Sequence, residues 1–597
     1  MSLQFITGNS GNGKTKYLFN RIVKEAKANP RDNYLVIVPE QFTMQTQRQL
    51  VDLSENKAIM NIDVLSFKRL AYRVFDELGI TNLTVLEETG KNLVLRKLAA
   101  QEADKLGVIG RNLNRIGYIS EVKSLLSELV QYNISPEELG RYIASGRLSD
   151  TLSDKLKDVL VLYEAFEKFM QDKYITAEEI LNVLSNVAEE SAILRNSVIA
   201  FDEFTGFTPI QNQLIKKLFV ISKKIYVTLT IDCREDIFKS RGMQELFDMP
   251  KRTVKSLTEM AAFYGIEVEE PIILDKNYRL AENEELSFME QQLFRKRRCS
   301  FKKVPKHIHI DCLRDPKQEL TKIARRINEL VRNENLRYRD IAIVTGDVNI
   351  YAGYVREIFD KYNIPYFIDA TQEILFHPFI EFIRSIPDIA AQNFSADAVF
   401  RFLRCGFSEL LDSEIDVLEN YVLACGVRGK SAWDKKWVRL PKHKAGYDIE
   451  LLNQSREYIM ELLKPVYQVF SDKKSTVKDY VLAIYKLIVL LDIPDKLAKK
   501  EQALLDAGDQ TASKEYGQIY KIVMQLFEKY VAVLGDECMD AEEFTQILDA
   551  GLDAADVAVI PPGYDTVTIG DIERTRLTNI TVSYTHLRAH ETLRHLV

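Results

Sequence analysis

Hydrophobic and polar residues follow two alternating patterns over the first 80 residues. Short apolar runs, LQFIT and YLVIVP, are each followed by a stretch with apolar residues at three- and four-residue spacing. The runs predict buried strands and the spaced stretches predict helices, the first from about Lys14 to Ala28. NIDVLSF starts a third such unit. Strands and helices that alternate in this way favour a parallel sheet with crossover helices, so the predicted fold class is α/β.

A long helical stretch interrupts this plan, and the plan then occurs a second time. Strand patterns return at SVIAFDEF and KIYVTLTID, after residues that show only helical spacing. Further along the chain, HIHIDCL, DIAIVTG and IPYFID predict strands, and PKQELTKIARRINELVRN predicts a helix. A second helical block precedes a last strand pattern, YDTVTIGDI. Two α/β domains are therefore predicted, each interrupted by a helical insertion.

The boundaries of these patterns divide the chain into five parts. We expect a first α/β domain at 1–82 and 191–290 with its insertion at 83–190, a second, incomplete α/β domain at 291–375 and 549–580 with its insertion at 376–548, and a tail at 581–597. The tail holds three histidines and resembles translated sequencing-adapter sequence. We expect it to be non-native and not a metal site, a genuine basic tail being the alternative.

Composition and charge narrow the class of protein. Apolar residues make up 46 % and charged residues 28 % of the 597, which is typical of a globular protein with several cores. The net charge of −7 argues against a uniformly basic surface but leaves room for a local basic groove. Six scattered cysteines signal neither a zinc site nor a disulfide framework. Without a signal peptide or an apolar run of the ~20 residues that span a bilayer, we expect a cytoplasmic protein with no membrane contact.

The strongest functional signal is the segment GNSGNGKT near the N-terminus. It fits G-x-x-x-x-G-K-[ST] and lies between a predicted strand and a predicted helix, as a phosphate-binding P-loop requires. Gly8, Gly11 and Gly13 would let the backbone turn tightly, so that its N–H groups face phosphate. Lys14 would reach the β- and γ-phosphates of ATP, and Thr15 would bind Mg²⁺. The alternative is a glycine-rich turn with a chance lysine.

Two further segments predict the rest of a nucleotide site. In VIAFDEF an apolar strand ends in Asp202, which would hold Mg²⁺, and Glu203, which would act as general base for the attacking water. LDKNYRL resembles the L-x-x-N-Y-R-S motif of superfamily 1 helicases, whose arginine reaches the γ-phosphate from between two motor domains. Arg279 matches that arginine, and Leu280 replaces the serine. The alternative for both segments is a charged loop on the surface.

Other segments suggest contact with single-stranded DNA. In VPEQF and VLSFKRL, the side chains of Phe42, Ser66 and Phe67 could stack on bases or form hydrogen bonds, and core packing is the equal alternative for the aromatics. A basic run could line a phosphate track or could be a solvated connection. It consists of Arg295, Lys296, Arg297, Arg298, Lys302, Lys303 and Lys306.

In this order, the segments resemble the AddB subunit of AddAB-type ATP-dependent helicase–deoxyribonucleases. The resemblance rests on FITGNSGNGKT, VPEQFT, FDEFTGFTPIQ and IPPGYDTVTIGDIERTR, and it covers about residues 1–580. It implies a superfamily 1 helicase-like P-loop NTPase fold, in which two RecA-like parallel-sheet domains each carry a large helical insertion. It also implies a role in processing DNA double-strand breaks for recombinational repair, with recognition of the Chi sequence.

The resemblance further implies partners and cofactors. AddB-like proteins pair with an AddA-like motor and nuclease subunit and act on single- and double-stranded DNA, and ATP with Mg²⁺ is the ligand expected here. Full-length members continue into a nuclease domain with an iron–sulfur cluster. Neither the metal-binding carboxylates of that domain nor its cluster cysteines match any residue of this chain.

Departures from active motors leave two functions open. No residues precede the first strand to supply an adenine-reading glutamine motif, and GDIERTR does not match the DNA-coupling segment of a motor. One hypothesis is an ATP-binding helicase-like subunit. The other is a non-hydrolysing DNA-scanning scaffold with a relic P-loop. An unrelated P-loop ATPase is disfavoured because the α/β plan occurs twice.

Overall fold

A computed structural model of the chain divides into two compact units. The first comprises Met1–Glu87, Leu98–Asn112 and Glu121–Ile310, and the second comprises Glu88–Lys97, Leu113–Ser120 and Asp311–Val597. Both have α/β architecture with a parallel sheet and many helices. The structure describes residues 1–80, 85–86, 88–108, 118–145, 148–170, 174–293, 295, 299–369, 372–373, 376–440, 447–472, 474–507, 509–553, 556–557, 565–572, 575, 577 and 580–586.

The first unit is built on a seven-stranded sheet. The described strands of the whole unit, of which β4 and β5 lie outside this sheet, are β1 (Ser2–Gly8), β2 (Tyr34–Ile37), β3 (Ile62–Leu65), β4 (Val85–Leu86), β5 (Ile175–Thr176), β6 (Val198–Phe201), β7 (Lys224–Thr230), β8 (Glu267–Val268) and β9 (Ile272–Leu274). The sheet has the order β3-β2-β6-β7-β1-β8, β9 also pairs with β1, and all of these pairings are parallel. β4 and β5 form a separate parallel pair.

Helices follow most of these strands, and four of the described helices lie between β4 and β5 in the sequence. α4 and α5 have residues in both units. The helices are α1 (Lys14–Ala28), α2 (Thr43–Leu53), α3 (Phe67–Leu78), α4 (Glu88–Gln101), α5 (Tyr118–Gln131), α6 (Pro136–Ala144), α7 (Asp150–Met170), α8 (Ile180–Val187), α9 (Pro209–Ile221), α10 (Asp248–Phe263) and α11 (Glu284–Gln292).

Both faces of the first sheet are buried, because successive strand residues point to opposite faces and helices cover each face. In β2, Leu35 and Ile37 join a core with residues of α3, α8, α9 and α10. Tyr34 and Val36 join a second core with residues of α1 and α2. Since β1, β6 and β7 are parallel neighbours, their carboxyl ends lie together at one edge of the sheet.

The second unit contains a smaller parallel sheet and a block of helices. Its described strands are β10 (Ile341–Thr345), β11 (Tyr366–Ile368), β12 (Gln372–Glu373), β13 (Asp556–Val557), β14 (Val567–Asp571) and β15 (Val582–His586). The sheet order is β11-β14-β10-β15, and β12 pairs with β13 in an antiparallel manner. The helices are α12 (Pro316–Asn333), α13 (Val348–Lys361), α14 (Pro378–Ala391), α15 (Ala396–Arg404), α16 (Asp412–Cys425), α17 (Lys430–Asp434), α18 (Ile449–Ser471), α19 (Val477–Leu490), α20 (Ile493–Asp506), α21 (Gln510–Leu534) and α22 (Ala541–Asp553).

These elements confirm the α/β class and most of the predicted strands and helices. The helix predicted from about Lys14 to Ala28 is α1. The strand predicted at HIHIDCL is wrong, because residues 307–313 have no strand pairing. Ile310 of that segment is 95 % exposed, and Ile308 and Leu313 are only half-buried. An alternating pattern makes a strand only where a neighbouring strand accepts its hydrogen bonds.

The expected tail at 581–597 is only partly described. Residues 582–586 form β15 and pair with β10, in the register Ile341↔Val582. Residues 587–597 lie outside the described residues, and the non-native origin of the tail stays a prediction. Within the described part of the chain, no helix combines the length and the apolar character needed to span a membrane.

Candidate nucleotide site

The loop between β1 and α1 turns through glycines in the left-handed region. β1 ends at Gly8 and α1 begins at Lys14, and φ is +87° at Gly11 and +81° at Gly13. A residue with a Cβ loses about 1–2 kcal/mol in this conformation, so glycine permits the path. Gly13 is the N-cap of α1 and offers no side chain to the first N–H groups of the helix. That positive helix end suits an anion such as phosphate.

The same glycines allow residues 274–279 to approach the loop closely. A Cβ at Gly8 would lie 2.6 Å from the carbonyl oxygen of Leu274. At Gly11 it would lie 2.8 Å from Oδ1 of Asn277 and 2.9 Å from Cβ of Arg279. Real Cβ atoms do not make such contacts, so Gly8 and Gly11 are required by the segment packed on them as well as by the turn.

Hydrogen bonds hold that segment to the loop. Asn277 donates from Nδ2 to the carbonyl oxygen of Ser10 at 3.0 Å. The backbone N–H of Tyr278 donates to the carbonyl oxygen of Gly11 at 3.0 Å. The next residue, Arg279, is exposed, and after burial, the main cause of the lowered pKa of the Lys14 amine, its charge also acts on that amine. The arginine predicted to meet the γ-phosphate therefore lies beside the predicted P-loop, within the first unit.

Lys14 starts α1 and points back over the loop. Its Nζ donates to the carbonyl oxygen of Asn9 at 3.0 Å. Burial lowers the pKa of the amine, the carboxylates of Glu203 and Asp202 raise it in part, and Arg279 lowers it, so that the pKa lies below its ordinary value. A partly desolvated ammonium at the start of a helix forms a strong charge-assisted hydrogen bond with an anion that reaches the loop.

A hydroxyl and two carboxylates meet beside Lys14 at the carboxyl edge of the sheet. Thr15 donates from Oγ1 to Asp202 Oδ1 at 3.3 Å and to Glu203 Oε1 at 3.2 Å. Asp202 directly follows β6 and is 1 % exposed. Glu203 has φ of +68°, a strained conformation for a residue with a Cβ. These residues come from distant parts of the chain and converge because β1 and β6 are both parallel to β7.

The donor set is chemically suited to Mg²⁺. Thr15, Asp202 and Glu203 supply hard oxygen atoms, which this ion prefers, and phosphate oxygens and water commonly complete its octahedron. Two amide oxygens of the loop, Asn9 Oδ1 and Asn12 Oδ1, are buried without a hydrogen-bond partner among the described residues. Within the described part of the chain, no group of three or more His, Cys, Asp or Glu side chains is arranged to hold a metal ion.

Of the two aromatic residues that could either contact DNA or pack in the core, Phe67 is buried and Phe42 is half-buried. Phe67 is 8 % exposed, and its ring centroid lies 5.8 Å from that of Phe201 and 5.5 Å from that of Phe204. Ser66 caps α3 by accepting from a backbone N–H, and its hydroxyl donates to the carboxylate of Glu40. Phe42 is half-buried against the core formed with α1 and α2. For Phe67 the structure favours the core-packing alternative.

The basic run is only partly described, and two of its described members are paired. Arg295 is 15 % exposed and lies 2.9 Å from the carboxylate of Asp232. Lys303 forms an ion pair with Glu284. Lys302 and Lys306 are exposed. Residues 296–298 lie outside the described residues. The described members therefore form no continuous row of unpaired cations.

Sequence reasoning missed three residues that the structure brings to this edge. Thr228 of β7 donates from its hydroxyl to Asp202, and Asn277 joins the loop to the segment of Arg279. Asp232, after β7, accepts from Arg234 and pairs with a residue of the basic run. A threonine inside an apolar strand was the one available sign of the first. Asn277 occupies the asparagine position of the motif that LDKNYRL resembles, which was a sign of the second, and Asp232 carries no sign that an isolated sequence reveals.

A separate groove lies away from these residues. It has a volume of about 590 Å³ and runs between α9 and α10. Lys216 contributes to one wall, and Tyr132, Phe263 and Tyr264 contribute aromatic surface. None of the predicted site residues lines it.

The amino-acid sequence of the chain is similar to known proteins over nearly its whole length. Residues 5–290 match a family described as "ADDB, N-terminal". A protein from Lachnoclostridium phytofermentans, named as the B subunit of an ATP-dependent helicase/deoxyribonuclease, is 38 % identical over 590 residues, which are 97 % of this chain and 51 % of that protein. Proteins with the same name from Clostridium novyi and Caldanaerobacter subterraneus are 31 % and 32 % identical, over 98 % of this chain and 51 % of their own length.

The aligned region is a different share of this chain and of its relatives. Nearly all of this chain aligns with them, whereas the chain spans about half the length of the curated relatives that it matches. The family match covers the segment that carries the loop, the acidic pair and Arg279. The chain is thus homologous to AddB subunits over nearly its whole length, and its residues 5–290 belong to the AddB N-terminal family.

Proposed function

We propose that this chain is the helicase-like part of an AddB-type protein and binds ATP with Mg²⁺ at the loop Gly8–Thr15. Together with an AddA-like subunit, this protein would process DNA double-strand breaks for recombinational repair. The observation that carries the proposal is the convergence of Lys14, Thr15, Asp202 and Glu203 at one sheet edge, in a chain homologous to proteins named ATP-dependent. Fold similarity alone would not assign a function, but this set of side chains has a defined chemistry.

The proposed architecture is two RecA-like domains with helical insertions. The first domain would comprise residues 1–82 and 191–290 with the insertion 83–190. The second would comprise 291–375 and 549–580 with the insertion 376–548. The strand order supports this, because β1 and β6 flank β7 in a parallel sheet whose strands come from both sides of the first insertion. Likewise, β10 and β14 are neighbours although the second insertion separates them in sequence.

Each side chain has a role in this proposal. Backbone N–H groups of the loop and the start of α1 would hold the phosphates, with Lys14 compensating their charge. Thr15 and Asp202 would hold Mg²⁺, which neutralises developing charge on the phosphates when bound. Glu203 would accept a proton from water, and Arg279 would stabilise the γ-phosphate. The fixed position of Arg279 beside the loop supports its role.

The proposed partners follow from the relatives and from the resemblance of the sequence motifs. They are an AddA-like motor and nuclease subunit together with single- and double-stranded DNA. The proposed location is the cytoplasm, without membrane contact. An iron–sulfur cluster is proposed for full-length members and for no residue of this chain.

Binding of a fluorescent ATP analogue tests the proposal. Wild-type chain should bind it with Mg²⁺, and Lys14→Ala should lose at least about a hundredfold in affinity, because a buried charge-assisted contact to phosphate is removed. Lys16→Ala is the matched control, since Lys16 lies in the same helical turn but is exposed. No binding by folded wild-type protein would overturn the proposed ATP site.

A second candidate is the non-hydrolysing DNA-scanning scaffold with a relic P-loop. The bonds from Asn277 and Tyr278 to the loop favour it, because they hold the loop in shape with protein groups alone. Phosphate release with and without single-stranded DNA separates the two. DNA-stimulated release that requires Glu203 would identify a working motor half. Nucleotide-independent DNA binding that Lys14→Ala leaves intact, without any phosphate release, would support the scaffold.

A further inference from the structure

Thr228 lies between the two parts of the candidate magnesium site. It belongs to β7, the strand that separates β1, with its phosphate loop, from β6, which ends just before Asp202. In the registers Thr228↔Ile6 and Phe201↔Val227, Thr228 is one residue beyond the partner of the last β6 residue. We propose that Thr228 is a positioning residue, which orients the Asp202 carboxylate for Mg²⁺. This inference rests on the proposed ATP site.

The contact is short, buried and charge-assisted. Thr228 Oγ1 donates to Asp202 Oδ1 at 2.5 Å, and the two residues are 3 % and 1 % exposed. A hydroxyl that donates to a carboxylate in a buried position strengthens the bond and limits rotation of the acceptor. Outer-shell donors of this kind fix the direction in which a carboxylate presents its remaining lone pairs to a metal ion.

Thr15 and Thr228 both donate to Asp202 Oδ1, but they differ in their other contacts. Thr15 Oγ1 lies 3.3 Å from Asp202 Oδ1 and also donates to Glu203. In the proposed site the Thr15 oxygen is itself a magnesium ligand. Thr228 has no proposed role as a magnesium ligand, and its backbone is held in β7 by the register with Ile6 of β1. Its hydroxyl therefore remains as a constant donor to Asp202.

The first sheet offers a matched control for a hydroxyl without this role. Thr7 lies on β1, the strand next to β7, and is 1 % exposed. Its Oγ1 is buried and has no hydrogen-bond partner among the described residues. Valine has the same shape as threonine and suits a strand. Thr7→Val and Thr228→Val thus remove hydroxyls of equal burial, of which one contacts Asp202.

The test compares binding of a fluorescent ATP analogue with Mg²⁺ and with EDTA, in wild type, Thr228→Val, Thr228→Ala, Thr228→Ser and Thr7→Val. All variants are produced in the whole chain, and thermal unfolding verifies that each is folded. A Mg²⁺ titration at fixed analogue concentration gives the midpoint for the ion. Contributions of outer-shell donors predict a rise of about tenfold in that midpoint for Thr228→Val and Thr228→Ala.

A positioning role also predicts a division between the two conditions. The analogue affinity in EDTA should stay within about twofold of wild type, because the loop and Lys14 contact the phosphates directly. Thr228→Ser should keep the wild-type midpoint, since serine retains the hydroxyl, and Thr7→Val should keep it as well. An unchanged midpoint in Thr228→Val, or an equal loss with Mg²⁺ and with EDTA, would overturn the inference. Failure of folded wild type to bind the analogue at all would overturn the proposed ATP site too, so the two failures are distinguishable.

Discussion

Gly11 links the phosphate loop to the segment that carries Arg279, and Gly11→Ala tests that link. Gly11 has φ of +87°, and an added Cβ would meet Asn277 Oδ1 at 2.8 Å and Arg279 Cβ at 2.9 Å. Gly79 is the matched position. It ends α3 with φ of +69° and has no atom within 4 Å of an added Cβ among the described residues. Alanine at either position carries the free-energy cost of a left-handed backbone, and only Gly11→Ala adds the steric clash with residues 277–279.

The magnitude follows from these contacts. A left-handed alanine costs about 1–2 kcal/mol at either position. At Gly11 the clash also displaces residues 277–279 and breaks the bonds from Asn277 to Ser10 and from Tyr278 to Gly11. Each such bond contributes about 1 kcal/mol net, so the attachment weakens by about 2 kcal/mol. At about tenfold for each 1.4 kcal/mol, the detached population rises roughly 30-fold.

Limited proteolysis measures that population without any ligand. Trypsin cleaves after Lys276 and Arg279, and fragment masses identify both sites. When opening is fast compared with cleavage, the cleavage rate follows the detached population. Gly11→Ala should be cleaved there roughly 30-fold faster than wild type, by the arithmetic above, whereas Gly79→Ala should match wild type. Equal rates at these sites in the two glycine variants would refute the reasoning.

Three further predictions concern stability. Phe67→Ala should lower the free energy of unfolding by about 3–5 kcal/mol in denaturant titration, because it opens a cavity in the aromatic core. Phe263→Ala, at a position 82 % exposed, should change that free energy by less than about 0.5 kcal/mol, and equal effects of the two variants would contradict the burial of Phe67. Burial raises the pKa of Asp232, but hydrogen bonds and the charge of Arg234 lower it further, to about 2, so its stabilisation is complete above the ordinary value of 3.8 and is lost as the pH falls from about 4 to 2. Water screens the half-exposed Arg234, so the difference in acid unfolding between wild type and Asp232→Asn should be about 1 kcal/mol, and parallel pH profiles would contradict it. Ser135→Ala removes the capping box of α6 and should cost about 1 kcal/mol in thermal unfolding, a cost that Ser135→Thr should largely avoid.

Local signals were sufficient for much of the fold. Apolar runs and helical spacing predicted β1, α1, β2, β6 and β7. Strands buried on both faces are apolar almost throughout, and a helix repeats its buried positions every three to four residues. The strand at HIHIDCL failed for the complementary reason. Pairing depends on a neighbour that is distant in sequence, and an alternating pattern carries no information about whether that neighbour exists.

The candidate site divides along the same physical boundary. The sequence by itself determined the loop, because closely spaced glycines, a lysine and a hydroxyl act within one strand–turn–helix. It also identified Asp202 and Glu203 by their position after an apolar strand. Their distances to Thr15 follow from the parallel order of β1, β7 and β6, which only the tertiary structure decided.

Tertiary structure likewise decided which polar and aromatic residues serve the site and which serve the core. The sequence does not show that Thr228 of β7 donates to Asp202 or that Asn277 donates to the carbonyl oxygen of Ser10. Phe67 could have faced DNA until helices covered it. Periodicity is encoded in neighbouring residues, whereas partners depend on how distant segments pack. The sequence therefore determined most of the elements and their chemistry, and the fold determined their contacts.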